Sequence, residues 1–263
     1  MGSTIQVTEG NDNKYTLYTY AFCGKIDNMI KYLSEIAEKE IWSFVDDGLD
    51  ILRTYIFKTF EQCNKQGKII YSDDEEWSCA NTGLLTPNGK DILIVFNRKN
   101  KDEKWFLKGF FDKTERRFMD HFTNIPALAS YTDNFEDFYF NPDLNIEIST
   151  DHILDDNWNR IYDQLNMQKS IVKLLLEGVI EQAKTKVKRN VRLVVPQFYK
   201  GKIMYLLPIC FPISDGTTYI TMALAIEKTN TNQYRANTIF TKDVAYEKAR
   251  LLMKPEANWL IEK

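Results

Sequence analysis

Between Tyr234 and Leu252 the chain reads YRANTIFTKDVAYEKARLL. A helix capped by Thr241 or Asp243 would place Asp243, Tyr246, Glu247 and Arg250 on one face, at i, i+3, i+4 and i+7. Arg235 precedes that helix on a strand. Such a strand-to-helix corner could bring Arg235, Tyr246 and Arg250 to one phosphate, whose oxygens match a guanidinium fork. The same spacing also suits an Asp/Glu–Arg network within the helix, and a cation near a helix C-terminus is favoured by the macrodipole alone.

Other strings carry residue types that could do chemistry. Glu227 and Lys228 close the run ALAIEK, where strand alternation points them to opposite faces, one toward a pocket and one toward water. KTKVKRNVR puts Lys184, Lys186, Lys188, Arg189 and Arg192 within nine residues. That is either the electrostatic footprint of nucleic-acid binding or a solvated helix end, with Asn190 as a left-handed stop. In CANTGLL, Asn81, Thr82 and Gly83 form either a turn of backbone donors beside a ligand or a bulged strand. His152 stands near an expected helix start among Asp151, Asp155 and Asp156, which suits an ion pair or an acid role. SDDEE at 72–76 is too acidic for a phosphate site and lacks calcium-loop spacing, so a solvated turn is expected.

Several chemistries find no support. Cys23, Cys63, Cys79 and Cys210 have no zinc or redox spacing and read as buried free thiols. The two histidines, His121 and His152, form no ligand pattern, so no metal is expected. No Walker loop, GxGxxG or nucleophile elbow is present, and no cofactor can be named.

The elements that must position these groups follow from periodicity. Residues 27–40, with Asp27 as cap, and 46–65 read as a helical pair. KIIYS, WSCANTGLL, DILIVFNR and KWFLKGFFD read as strands of an antiparallel meander. Residues 118–157 read as an irregular connection whose crowded aromatics, Tyr131, Phe135, Phe138, Tyr139 and Phe140, call for burial. Residues 167–188 form an amphipathic helix with Ile171, Leu174, Leu175, Val179, Ala183 and Val187 as its apolar stripe. VRLVVPQFY and KIMYLLPICF read as a hairpin turning near Gly201, followed by the strands TTYITMALAIEK and YRANTIFT and a helix from Asp243 to about Met253. The expected fold is α+β: a largely antiparallel sheet with an N-terminal helical pair, a central amphipathic helix and a C-terminal helix. A flexible start at 1–16 and a single domain at 17–263 are expected, with a sub-division near 150–166 also open.

With 263 residues, 44% apolar and 13% aromatic, the chain can bury a sizeable core. No run approaches membrane-span length and no signal pattern opens the sequence, so a cytoplasmic location is expected. The net charge of −3 hides a division. Residues 1–150 hold 17 Lys/Arg against 25 Asp/Glu, whereas the part from Met167 onward holds 16 against 8. A basic C-terminal side suggests RNA or a phosphate-bearing nucleotide as ligand.

The strings NTGL, DHILDDNWNR, KRNVRLVVPQFY, YLLPI, ALAIEK, YRANTIFTKDVAYEKARLLMKP and the closing NWL together resemble an uncharacterised bacterial domain family. Its members often sit C-terminal to OST-HTH (LOTUS) RNA-binding modules. The similarity runs from about Leu17 to Leu260, and Ala236 stands where the family pattern has glycine. The resemblance implies a role in RNA metabolism. Carried over by position, its candidate residues are Asn81, Thr82, Gly83, His152, Asn190, Gln197, Glu227, Lys228, Tyr234, Tyr246 and Arg250. No OST-HTH module is recognisable before residue 17, so the domain is expected to work alone or through a protein partner that supplies one.

The leading expectation is an RNA-binding domain. Lys184, Lys186, Lys188 and Arg189 would steer the backbone, Tyr234 and Tyr246 stack bases, and Arg235 and Arg250 hold phosphates. The alternatives are an enzyme of RNA ends, such as a ligase or phosphoryl-transfer enzyme, and a small-nucleotide sensor. In the enzyme, Glu227 would be the base, Lys228 the nucleophile and His152 the acid.

Overall fold

The computed structural model describes residues 16–46, 48–100, 102–213 and 219–261. The expected flexible start lies outside these residues except for Thr16, which begins the first helix. The chain divides after Ser130 into two compact units.

The first unit holds α1 (Thr16–Tyr20), β1 (Ala21–Phe22), α2 (Ile26–Ile36), α3 (Asp50–Lys65), β2 (Ile70–Tyr71), β3 (Trp77–Leu85), β4 (Asp91–Asn97), β5 (Trp105–Asp112) and α4 (Arg116–Met119). Its sheet runs β1-β5-β4-β3-β2, antiparallel except for the β1–β5 pair. The expected meander and helical pair are both present. Asp27 is not the cap of α2: it lies in the first turn, and its carboxylate pairs with Arg53 of α3 at 2.5 Å. Helix α3 packs on β3 and turns Ile51, Leu52, Ile56 and Phe60 into the core. The other face of the sheet buries Cys79, Leu93, Val95 and Phe111 against Phe118 and Phe122.

The second unit holds β6 (Ile146–Glu147), α5 (Thr150–Leu165), α6 (Lys169–Arg189), β7 (Val195–Tyr199), β8 (Lys202–Pro212), β9 (Tyr219–Lys228), β10 (Tyr234–Phe240), α7 (Lys242–Arg250) and α8 (Asn258–Ile261). Its sheet runs β6-β10-β9-β8-β7, antiparallel apart from the β6–β10 pair. The fold is therefore α+β and largely antiparallel. The β7–β8 hairpin turns through Lys200 and Gly201, both at positive φ, as a two-residue turn that matches strand twist requires. Helices α5 and α6 cover one face, on β10 and β8 respectively, and α7 lies against β7 and β9. Alternation sends Tyr205, Leu207, Ile209 and Phe211 of β8 toward α5 and α6, with Met222, Leu224 and Ile226 of β9 beside them. Met204, Leu206, Ala223 and Ala225 are buried from the opposite face. A sheet buried on both faces explains why ALAI reads as an unbroken apolar run.

Three local expectations are corrected. Residues 118–157 are not irregular throughout, because α5 begins at Thr150 and runs sixteen residues. The apolar stripe of α6 is Val172, Leu176, Val179, Ile180, Ala183 and Val187, leaving Ile171 and Leu174 exposed. The run IVKLLL offers two stripes one residue apart, and contact with the sheet selects the second. Asn190 ends α6 in an extended conformation (φ −147°), not a left-handed one, and its side chain accepts from the backbone N–H of Arg192 at 3.2 Å. The left-handed stop is instead Asn166, at the end of α5 (φ 49°).

Asn157 joins α5 to a bulge in β10. Its amide NH2 donates to the carbonyl of Ile153, and its Oδ1 accepts from the Thr238 hydroxyl at 2.6 Å and from Arg160 at 2.9 Å. Arg160 also donates to the Ile239 carbonyl. A bulge leaves backbone groups without ladder partners, and the half-buried Arg160 and buried Asn157 satisfy the carbonyl and N–H of Ile239. Among the described residues no helix is long and apolar enough to cross a membrane.

Candidate functional site

The sheet of the second unit fixes where its chemistry-bearing side chains point. Glu227 pairs with Arg235 and Lys228 with Tyr234 across β9 and β10, so the two neighbours lie on opposite faces. Arg235 is also in register with Glu147 of β6, with Nε and carboxylate 3.8 Å apart. Glu147, Arg235 and Glu227 thus form a cross-strand row of alternating charge, of which Arg235 and Glu147 are more than half exposed. Such exposed pairs stabilise by about 0–1 kcal/mol. Lys228 faces the other way. The expected base and nucleophile are therefore not brought together.

Lys228 instead lines an open cleft of about 550 Å³ at the end of the sheet. Lys202 and Ile203 of β8, Thr229 and Asn230 after β9, and Tyr131, Thr132, Asp133 and Asp137 of a loop complete its wall. Lys202 and Lys228 make no ion pair among the described residues. The loop is built from within. The Thr132 hydroxyl donates to Asp137 Oδ2 at 2.6 Å, and the Asn134 side chain accepts from the N–H of Glu136, which starts a 3₁₀ turn over Phe135–Phe138. Asp137 is thereby occupied inside the loop, leaving Asp133 as the cleft's other carboxylate.

Two tyrosines fasten this loop to the sheet. The Tyr205 hydroxyl donates to the carbonyls of Asp137 (2.9 Å) and Tyr139 (3.1 Å), and the Tyr234 hydroxyl accepts from the N–H of Asn141 at 2.9 Å. Phe140 stacks on Tyr234 at 4.8 Å, and Tyr205 meets Tyr234 edge-on at 5.6 Å. Burial, with Tyr234 and Asp137 nearby, pushes the Tyr205 phenol up to about 12. Burial also raises Tyr234, against the pull of the Asn141 N–H. Neutral phenols are the forms that hold the loop.

The loop's aromatics divide. Phe140 is buried, as expected, but Phe135 and Tyr139 are 69% and 64% exposed and meet edge to face at 5.4 Å. Crowding of aromatics in the sequence marked this stretch and suggested burial. The signal it lacked was the 3₁₀ turn, which sends Phe135 and Tyr139 outward together.

The remaining candidates are dispersed. Tyr234 and Tyr246 are each 1% exposed, so neither offers an open ring for the expected base stacking. Arg250 is buried on α7, and Gln197 is buried on β7, its Oε1 without a hydrogen-bond partner among the described residues. His152 is exposed near the start of α5 and pairs with Asp156 at 3.3 Å. Its neighbour Asp155 is held below the usual carboxylate range by Lys169. Lys184 pairs with Glu181, Arg189 donates to the Thr185 carbonyl, and Lys186 and Lys188 extend into solvent.

In the first unit, Asn81–Thr82–Gly83 is a bulge in β3. Asn81 donates to the Pro126 carbonyl and accepts from the N–H of Gly83, and Thr82 donates to the Ile92 carbonyl. Gly83, at φ 73°, lies where a Cβ would come 2.6 Å from the Tyr55 hydroxyl. These groups are occupied with one another, which gives the triplet a structural role.

A family model described as a domain of unknown function, DUF3825, matches residues 33–259. No curated protein and no solved structure matches the chain.

Proposed function

The chain belongs to the DUF3825 family, a description that names no activity, and from the geometry of its second unit we propose that it binds single-stranded RNA. Unpaired bases stack on Phe135 and Tyr139, and the phosphates between them pass over Lys202 and Lys228. One observation carries this reading: an exposed aromatic pair sits on the loop that Tyr205 and Tyr234 fasten to the sheet, and Thr132, Asp133 and Asp137 of that loop line a cleft whose two lysines make no ion pair among the described residues. Every base has a π-face, so aromatic platforms beside cations suit single strands, whereas duplex bases are already stacked. The resemblance to domains that accompany RNA-binding modules agrees with this reading.

The test is the salt dependence of binding to a 12-nucleotide single-stranded RNA. Each phosphate contact contributes about 0.7 to the slope of log K against log salt. The Lys202→Gln/Lys228→Gln variant should lower that slope by about 1.4. An unchanged slope would remove the cleft from the account.

A nucleotide sensor is the second reading, favoured by the cleft's volume, which lies within the roughly 300–1,000 Å³ of small-molecule sites. It predicts saturable thermal stabilisation by a mononucleotide, with no added gain from a longer strand.

A further inference from the structure

In the first unit, Phe106 of β5 lies directly opposite Phe22 of β1. Both rings are exposed, at 44% and 60%, and their centroids are 5.9 Å apart. Just beyond Phe106 the strand bulges: Phe96 pairs with Leu107 and Val95 with Gly109, leaving Lys108 as the extra residue. Bulges re-aim side chains. Lys108 lines a groove of about 410 Å³ with Gly109 and Phe111 of β5, Tyr32 of α2 and Arg117 of α4. Gly109 leaves that part of the groove without a side chain. Among the described residues neither Lys108 nor Arg117 has a carboxylate partner. The groove's carboxylate, Glu115, accepts from the backbone N–H of Asp112 at 3.1 Å. The Arg117 guanidinium stands 5.6 Å over the Phe111 ring.

We infer that this sheet face is a second, separate contact for single-stranded nucleic acid. Phe22 and Phe106 receive unpaired bases, and Lys108 and Arg117 take the adjoining phosphates. Two cations without ion pairs favour an anionic occupant over an apolar protein segment, and the exposed ring pair favours one that carries π-faces as well as charge. The inference uses none of the residues assigned in the second unit, so the two readings fail separately.

The experiment uses the full chain and a 12-nucleotide RNA containing 4-thiouridine, with photo-crosslinks mapped to peptides and affinity followed by anisotropy. Crosslinks in the peptides bearing Phe22 and Phe106 are expected. Affinity should fall roughly ten-fold in Phe22→Ser/Phe106→Ser, within the range for loss of base stacking. The salt slope should fall by about 1.4 in Lys108→Gln/Arg117→Gln. The residues are exposed or on the groove rim, and an unchanged melting temperature will confirm that the variants fold. Wild-type affinity and slope in both variants, alongside loss in Phe135→Ser/Tyr139→Ser, would overturn this inference and leave the second-unit reading standing. Loss only in the first-unit variants would do the reverse, and no RNA binding by the wild type would overturn both. Competition by polyglutamate equal to that of RNA would overturn the inference too, since charge alone would then be read.

Discussion

The Tyr234 hydroxyl accepts a hydrogen bond from the backbone N–H of Asn141 at 2.9 Å, tying strand β10 to the loop that presents Phe135 and Tyr139. Removing the oxygen strands that N–H. Tyr234→Phe should destabilise the protein by about 1–2 kcal/mol and weaken RNA binding while leaving the salt slope unchanged. Urea unfolding and anisotropy check the two effects. A weakened affinity with full stability would mean that Tyr234 touches RNA itself.

Tyr205 makes the other fastening, and its phenol is pushed up to about 12 against an ordinary value near 10. A raised pKa means that the folded state favours the protonated phenol. Its contribution is fully present below about pH 10 and is lost as pH rises through about 12. An ionised Tyr205 cannot donate to the carbonyls of Asp137 and Tyr139. Stability of the wild type should therefore fall more steeply between about pH 10 and 12 than that of Tyr205→Phe. Parallel curves would show that this phenol is not linked to folding.

Asn157 serves Thr238, Arg160 and the Ile153 carbonyl at once. Asn157→Ala removes the partner of the buried Ile239 N–H and of the half-buried Thr238 hydroxyl and should cost about 2–4 kcal/mol. The loss should be smaller in a Thr238→Val background, where one of those groups is already gone. Equal losses in both backgrounds would separate Asn157 from the β10 bulge.

The cations of α6 stand at the wrong end of β7 for the cleft. Lys186 and Lys188 precede Val195, whereas Lys202 follows Tyr199, and β7 alone spans roughly 13 Å, more than a Debye length of about 8 Å at physiological salt. Lys186→Gln/Lys188→Gln should change RNA affinity less than two-fold at about 0.15 M salt. A larger loss would move the strand's path onto α6.

Where local chemistry decides, the sequence was legible. Gly201 between two apolar strands announced the β7–β8 hairpin. Alternation correctly separated Glu227 from Lys228. Tertiary choices were not legible. IVKLLL supports two helix phases, and only the sheet beneath α6 favours Val172 and Leu176 over Ile171 and Leu174. Tyr234 and Tyr246 have the polar handle of a binding residue, yet a tyrosine can spend its hydroxyl inside, as Tyr234 does on Asn141. Conversely, Phe135 looked like core because its exposure depends on a 3₁₀ turn capped by Asn134, a feature set by hydrogen bonds rather than hydropathy.

Anisotropy of a labelled 12-nucleotide single-stranded RNA against wild type and Phe135→Ser/Tyr139→Ser tests the central proposal most directly. The account predicts binding by the wild type and a loss of roughly ten-fold or more in the variant, at unchanged melting temperature. Equal affinities, or no binding by the wild type, would contradict it.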